Sequence, residues 1–500
     1  MRKVFKLRTV FLRLLIISVF MSLLSCHGTN EKGLCISVNG VEYSTLGLSC
    51  DTLDLTKLST ETEAEIRIKN YDDYDLITVD GIVMKEGEAF VPVRKIAKNL
   101  FLTLITTKGE KSDTLYLRTM HSDLPEMIID IKDGATLSSG DFYLSYVNIC
   151  LIQKINNQGE VVLYEYMKQD TTYLGKCAGW WDFKKHVYHD DIIDEDVTLY
   201  SYHVPDANHI KDGFSGFNPG MRVIFGSDSF YNADSEIVHI PYKTIQLKED
   251  KKHNVHEGDP IDGHDFYMCD YNHYIVSSYI KQLTSEGKEV YAAYLQEIRN
   301  DSLIFTWCST DFPDMEKWLD PVFQETAGPD YVHFNSIDVL PDGNWLCSFR
   351  HISSILKIDR NGTGGILWRL AGADNDGTYS FHGQHYVRYH AKDNTITLFN
   401  NGNDTGPTQM IRLNVDMCTG IVSKSTILHD DGYFTQACGA LTFSDNNMIV
   451  GWGIPGDTIN DSNRLLTEYD KSGAAIFSII RPTNNDTINS ILGSYRCVKY

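Results

Sequence analysis

Three histidines and one arginine stand at the ends of short strand-forming runs. His264 lies in Asp262-Gly263-His264-Asp265-Phe266, His333 in Tyr331-Val332-His333-Phe334-Asn335-Ser336, and His385 in Phe381-His382-Gly383-Gln384-His385. Each comes just before the first strand of a hairpin. Arg350 closes the second strand of the hairpin that His333 opens, and the two stand nearly equally far from the turn Pro341-Asp342-Gly343-Asn344. Folding about that turn returns both ends to one edge, placing an imidazole and a guanidinium within reach of a common ligand. Arginine offers a planar fork of donors matched to sulfate, phosphate or carboxylate. Imidazole can donate a hydrogen bond, move a proton or act as a nucleophile. No serine or cysteine elbow and no glycine-rich phosphate loop accompanies them. The three histidines with Asp265 could hold a divalent cation, but an arginine is an unfavourable neighbour for one. The residue types therefore favour chemistry on an anionic group, with no metal and no cofactor. One such histidine would be an ordinary structural residue; three in one register beside an arginine make a site.

The elements that must position them repeat. The hairpin segment DGNWLCSFR (342 to 350) has parallels in DYNHYIVSSY (270 to 279), KDNTITLFNN (392 to 401) and SDNNMIVGWG (444 to 453). The starts at 342, 392 and 444 are about fifty residues apart, the period of propeller blades with four strands each. After the His333 hairpin, strands are expected over 354 to 359 and 365 to 370. The longer gap from 270 to 342 implies an insertion around Trp307 to Asp330. Helical solenoids are excluded by the near absence of 3.6-residue periodicity. Two earlier units, FYLSYVNICLIQKIN with VVLYEYM and WWDFKKHVYH with VTLYSYHV and MRVIFGSDS, bring the blades to six. Ser494-Tyr495-Arg496-Cys497-Val498 reads as a late strand that closes the ring and removes exposed edges.

Ahead of this body, residues 34–125 carry short strands (CISVNGVEY, EAEIRIKNY, EAFVPVRKI, LFLTLITTK, DTLYLRT) and read as an immunoglobulin-like β-sandwich with a structural or docking role. The expected fold class is all-β: the sandwich, then a six-bladed β-propeller over residues 126–500. The first 26 residues pair a basic start with an apolar run too short to span a bilayer, ending Leu23-Leu24-Ser25-Cys26. They read as a lipoprotein signal peptide that leaves Cys26 lipidated, so an exported protein tethered to the periplasmic side of a bacterial membrane, or at the cell surface, is expected. The net charge of −22 argues against nucleic acid as a partner. It would also repel an anionic substrate in bulk, so local histidines and arginine must overcome it. Of eleven cysteines, Cys26 goes to lipid and none of the rest has metal-site spacing. Cys35 and Cys50 could pair or stand as isolated thiols.

At DGHDF (262 to 266), HFNS (333 to 336), SFRH (348 to 351), GQH (383 to 385) and the closing Ser494-Tyr495-Arg496, the chain resembles the bacterial arylsulfate sulfotransferases. The resemblance implies that His385 is transiently sulfated, that His264, His333 and Arg350 hold the sulfuryl oxygens, and that Asn335 is a polar neighbour in the substrate pocket. Tyr386 departs from the family, whose members often carry a smaller or acidic residue there. The implied reaction moves a sulfuryl group from an aryl sulfate donor to a phenolic acceptor with ping-pong kinetics and no nucleotide sulfate. One of His264 and His333 serves as acid and then base. A homodimer stays open. The alternatives are a non-catalytic propeller that binds an anionic glycan or aryl ligand, and a histidine-ligated metal hydrolase.

Overall fold

The computed structural model describes residues 5–6, 34–38, 41–44, 52–54, 66–79, 81–87, 89–90, 100–119, 127–159, 161–166, 179–190, 193–206, 217–226, 243–373, 376–402, 406–455, 464–481 and 493–500. Regular structure there is nearly all strand, with only short 3-10 turns besides. Cys26, Cys50 and all of the expected leader except Phe5–Lys6 lie outside the described residues. Among the described residues no helix is long and apolar enough to cross a membrane.

From residue 128 onward the strands form antiparallel sheets whose order follows the chain. The first holds Phe142–Tyr146, Leu151–Ile155 and Val161–Tyr166, with Ser494–Lys499 paired to Phe142–Tyr146. The second holds Trp181–Asp190, Glu195–Pro205, Pro219–Gly226 and Lys243–Ile245, with Ile261–Asp262 paired to the start of Pro219–Gly226. The third runs Phe266–Asp270, His273–Leu283, Glu289–Arg299 and Ser302–Cys308; the fourth Phe334–Val339, Trp345–Phe349, Ser354–Ile358 and Ile366–Ala371. The fifth is His385–His390, Thr395–Asn400, Gln409–Val415 and Val422–His429. The sixth is Ala440–Ser444, Asn447–Gly451, Arg464–Tyr469 and Ala475–Ile480, joined on its outer edge by Ile128–Ile131 and beyond it by Phe5–Lys6. The expected late strand thus exists, and it pairs with the first sheet.

Local sequence explains the hairpins. In the fourth sheet Gly343 takes φ +81° and the Asn344 amide donates to Asp342 Oδ1 at 3.0 Å, an Asx turn that sends the chain back. Leu340 then pairs with Asn344 through its amide at 2.9 Å. The apolar runs reflect burial on both faces, as in Trp345–Phe349 and Thr395–Asn400, where every residue is buried. Leu346, Ile355 and Trp368 of the fourth sheet pack on Ile396, Leu398 and Leu413 of the fifth. Phe399 and Met410 of the fifth meet Leu441 and Val450 of the sixth. Ile449 and Phe477 of the sixth meet Phe142 and Leu144 of the first. The same face-to-face contact joins first to second, second to third and third to fourth sheets. Each fully buried leucine or isoleucine here is worth roughly 1.5–3 kcal/mol. The result is a propeller-like stack in which first strands of successive sheets lie side by side.

Residues 34–119 form two smaller sheets. One contains Cys35–Val38, Val41–Ser44, Ile66–Ile68 and Ala89–Phe90; the other contains Thr52–Asp54, Lys111–Thr119, Leu100–Lys108, Leu76–Val79 and Ile82–Val83. The long pair 100–108 and 111–119 falls where LFLTLITTK and DTLYLRT place it, Thr52–Asp54, Leu76–Val79 and Ile82–Val83 are additional, and residues 91–96 of EAFVPVRKI lie outside the described residues.

Candidate active site

His264, His333 and His385 are all buried, and Arg350 is partly so. The His264 and His333 rings lie 4.8 Å apart, edge to face. Arg350 joins them through the hairpin: its amide donates to the His333 carbonyl at 2.7 Å. His264, His333 and Arg350 are therefore brought together, and all three bear electrostatically on the His385 ring.

Two of the histidines rest on carboxylates. His264 directs both Nδ1 (2.6 Å) and its amide (2.8 Å) to Asp262 Oδ2. His333, with φ +52°, directs Nδ1 to Asp330 Oδ2 at 2.5 Å and its amide to Asp330 Oδ1 at 3.0 Å. Burial raises the Asp330 carboxyl to about 6, and burial with the neighbouring His264 and Arg350 holds His333 well below the usual histidine range. Such carboxylate partners fix which ring nitrogen faces the pocket.

His385 is held differently. Its Nδ1 lies 2.7 Å from Asn401 Oδ1 and 3.1 Å from the Gly383 carbonyl, and its Nε2 accepts the Cys438 amide at 3.3 Å. The Asn401 amide nitrogen is committed to the carbonyls of Thr435 and Cys438, so its oxygen is the atom facing His385. An amide oxygen and a carbonyl can only accept, hence Nδ1 carries the hydrogen and Nε2 the lone pair. Burial, with Arg350 the next influence, holds His385 well below its ordinary pKa, so the ring is neutral near pH 7.

Arg350 is the charge of the site. Its Nη1 contacts His351 Nε2 at 2.9 Å, its Nη2 donates to the Gln436 carbonyl at 3.3 Å, and the guanidinium lies 4.5 Å from the Phe323 ring centre. Among the described residues no carboxylate forms an ion pair with it, and its Nε has no hydrogen-bond partner. Burial lowers its pKa to about 10, which leaves it charged. The expected insertion supplies the floor here: after Ser302–Cys308 come 3-10 turns at Ser309–Asp311, Pro313–Trp318 and Pro321–Phe323, and Asp320 receives His382 Nδ1 (2.9 Å) and Ser353 Oγ (2.5 Å).

Asn335 ties the fourth sheet to the fifth through Nδ2 and the Gln384 carbonyl at 2.7 Å, next to His385, and its Oδ1 has no partner among the described residues. Asp265 is not with the histidines. Its carboxylate faces Lys184, Arg388 and Arg496, and also accepts the Phe266 and Ile337 amides. Burial alone would raise it, yet Arg388, Lys184 and Arg496 hold it well below the carboxylate range. The metal arrangement with Asp265 is therefore corrected. Asp330, His333 and His351 do offer donor atoms within 4.8 Å of one another, but the Nδ1 atoms are already spent on the Asp330 side chain and carbonyl. Tyr386 is also turned away. The strand carrying His385 opens on a bulge in which Tyr386 takes φ +51°, and its ring lies under Arg388 (3.9 Å) and Arg496 (4.7 Å) in the core.

Sequence reasoning missed the supporting residues. Tyr279 lies 5.9 Å from His264 and 6.0 Å from His333 by ring centres; Trp181 stacks on Tyr495 at 4.4 Å, and Tyr495 donates to the His264 carbonyl at 2.6 Å. Asp262 and Asp330, two and three residues ahead of their histidines, were visible as spacing; Asn401 was visible only by aligning it with His351 across the repeated hairpins.

A β-sheet protein with a neutral histidine near a partly buried guanidinium that has no carboxylate partner among the described residues belongs to the class suited to transfer or binding of an anionic group. Residues 242–480, which include all four predicted residues, match the family described as Arylsulfotransferase (ASST), and this supports the arylsulfotransferase family for the chain. No curated protein sequence matches it. Similar solved structures include a protein of unknown function from Bacteroides caccae (10% identity, TM-score 0.38, covering 72% of this chain and 99% of that one). Others are a quinonprotein alcohol dehydrogenase-like protein from Bacteroides thetaiotaomicron (8%, 0.36, 90% and 98%) and virginiamycin B lyase from Staphylococcus aureus (10%, 0.31, 84% and 99%). At such distances nothing of their activities transfers to this chain.

Proposed function

We propose that this protein is an arylsulfate sulfotransferase that moves a sulfuryl group from an aryl sulfate to a phenol through a sulfated His385. The reading takes residues 126–500 as a six-bladed β-propeller with the site at its axis, and residues 34–125 as an immunoglobulin-like domain. The observation that carries it is the fixed tautomer of His385, a neutral ring whose Nε2 lone pair accepts only the long 3.3 Å bond from the Cys438 amide, which a substrate sulfur must displace, near Arg350, which has no carboxylate partner among the described residues.

In the first half-reaction Nε2 of His385 forms a bond to sulfur as the sulfur–oxygen bond to the aryl group breaks, and the phenolate leaves with the electron pair. Arg350, His264 and His333 stabilise charge on the sulfuryl and departing oxygens. As the ring becomes cationic, its Nδ1–H to Asn401 strengthens. The proton for the phenolate comes from Nε2 of His264, which enters this step as the imidazolium with Nδ1–H on Asp262, since burial holds His333 neutral. In the second half the phenol oxygen bonds to sulfur, the nitrogen–sulfur bond breaks, and that same histidine removes the phenol proton. Asn335 keeps Gln384, and so His385, in register. No nucleotide donor is required, which suits export as a lipoprotein anchored through Cys26 on the periplasmic side of a membrane.

The test is steady-state turnover of 4-nitrophenyl sulfate with phenol varied, in chelator. Expected are acceptor-dependent release of nitrophenol and parallel double-reciprocal lines. Equal release into water without phenol contradicts transfer and points to hydrolysis; no release from any aryl sulfate leaves a binding propeller; activity lost to chelator together with stoichiometric metal points to a hydrolase.

A further inference from the structure

We propose that His351 is the positioning residue of Arg350, aiming its fork at the anionic group that the three histidines surround. This rests on the sulfuryl-transfer reading only for the identity of that group. His351 Nδ1–H donates to the Asp330 carbonyl at 2.6 Å, and its Nε2 accepts from Arg350 Nη1 at 2.9 Å. A carbonyl cannot donate, so the tautomer is set and Nε2 must be the acceptor. Burial, followed by the neighbouring His333, pushes the ring down to about 3, so it stays neutral and does not repel the guanidinium.

The choice of a neutral partner has a physical reason. A carboxylate in that place would orient Arg350 equally well but would cancel its charge and compete with an anionic ligand. An imidazole acceptor orients the fork and leaves the positive charge for the ligand. Phe323 beneath the guanidinium and the Gln436 carbonyl complete the cradle without adding negative charge. The arrangement also couples the site. Asp330 holds His333 with its side chain and His351 with its carbonyl, and the His351 ring lies tilted against His333 at 4.4 Å and against Phe323 at 5.0 Å. Arg350, through His351, and His333 are therefore anchored to the same residue, Asp330.

The test measures binding of inorganic sulfate to the full chain by calorimetry, alongside turnover of 4-nitrophenyl sulfate, in a double-mutant cycle. His351→Phe keeps an aromatic ring but loses both hydrogen bonds; His351→Gln returns an acceptor oxygen near the Nε2 position. Expected is a weakening of sulfate binding by about tenfold or more in His351→Phe, most of it recovered in His351→Gln, and no further loss when His351→Phe is added to Arg350→Ala. An equal loss in the Arg350→Ala background, or a glutamine variant as weak as phenylalanine, overturns the proposal. If the phenylalanine variant does not fold, glutamine against His351→Asn decides: asparagine, whose oxygen falls near Nδ1, should be the weaker binder, and the reverse order overturns the proposal. Absence of sulfate binding to the unaltered protein also contradicts it. Sulfate binding that shows this pattern without any turnover leaves the positioning role standing and defeats the sulfotransferase reading; turnover with an additive cycle does the opposite.

Discussion

Replacing Asn401 by alanine should strike the nucleophile while leaving donor binding almost untouched. Asn401 contacts His385 Nδ1 through Oδ1 at 2.7 Å, and its remaining hydrogen bonds go to Thr435, Thr408 and Cys438. Without the amide, Nδ1–H keeps only the 3.1 Å contact to the Gly383 carbonyl. A buried donor that loses its main partner costs about 1–3 kcal/mol. The Gly383 carbonyl and the Cys438 amide still keep the hydrogen on Nδ1, but the imidazolium that forms on sulfation loses the amide oxygen that would stabilise its Nδ1–H. The rate of His385 sulfation should therefore fall roughly 5- to 150-fold, at about 1.4 kcal/mol per tenfold, with the apparent affinity for aryl sulfate unchanged. Single-turnover release of nitrophenol measures both. Asn401→Asp supplies the complementary arm. It keeps an acceptor but places a carboxylate against the ring, which raises the His385 pKa; its activity should be lost on acidification within the range where the unaltered enzyme is flat, and return as pH rises. A fall in affinity with an unchanged single-turnover rate in Asn401→Ala would refute the reasoning, as would an Asn401→Asp profile identical to that of the parent.

Arg350→Lys keeps the charge but loses the fork, and kcat/KM for aryl sulfates should drop about 10- to 100-fold, since charge-assisted bonds are worth roughly 1.5–3 kcal/mol each. Gly263→Ala should impair turnover more than stability, because a Cβ there would lie 2.7 Å from His203 Cδ2 and 3.1 Å from Trp181 Cε3, forcing the His264 backbone to shift; unchanged kcat/KM would oppose this. Lys499→Met strands Glu468, which also accepts Ser138 N and Asn447 Nδ2 at 2.7 Å where first and sixth sheets meet, and urea unfolding should show a loss of about 3–5 kcal/mol. His203 has neither nitrogen partnered among the described residues, and burial pushes it down to about 3. Its folded pKa is depressed below about 6.5, so its contribution is present above pH 6.5 and lost as pH falls toward 3. His203→Gln should therefore gain on the parent by about 2 kcal/mol between pH 7.5 and 5, read from urea unfolding at both values; an unchanged difference would contradict it.

Much of the fold was legible because repeated turn chemistry and short apolar runs carry period and strand identity together. Asp342-Gly343-Asn344 announced its hairpin, and the late strand Ser494–Lys499 was placed by the need to cover an edge. The additional strands Leu76–Val79 and Ile82–Val83 were not, since nothing local to them fixes a partner sheet. In the site, histidines and arginine stood out by residue type and register. Their supports did not: Asn401 and His351 act through contacts between segments, and Phe323 reaches Arg350 only because the insertion folds back on the fourth sheet. Asp265 was misplaced for the opposite reason. Adjacent to His264 in sequence, it alternates to the other side of the chain and into the cluster of Lys184, Arg388 and Arg496.

The central claim is tested most directly by mass spectrometry of the protein after brief exposure to an aryl sulfate with acceptor withheld. The account predicts one sulfuryl group per chain, on His385, that disappears within a turnover when phenol is added and reappears as the phenyl sulfate ester. Release of nitrophenol with His385 unmodified, or a sulfated residue that phenol does not discharge, would contradict it.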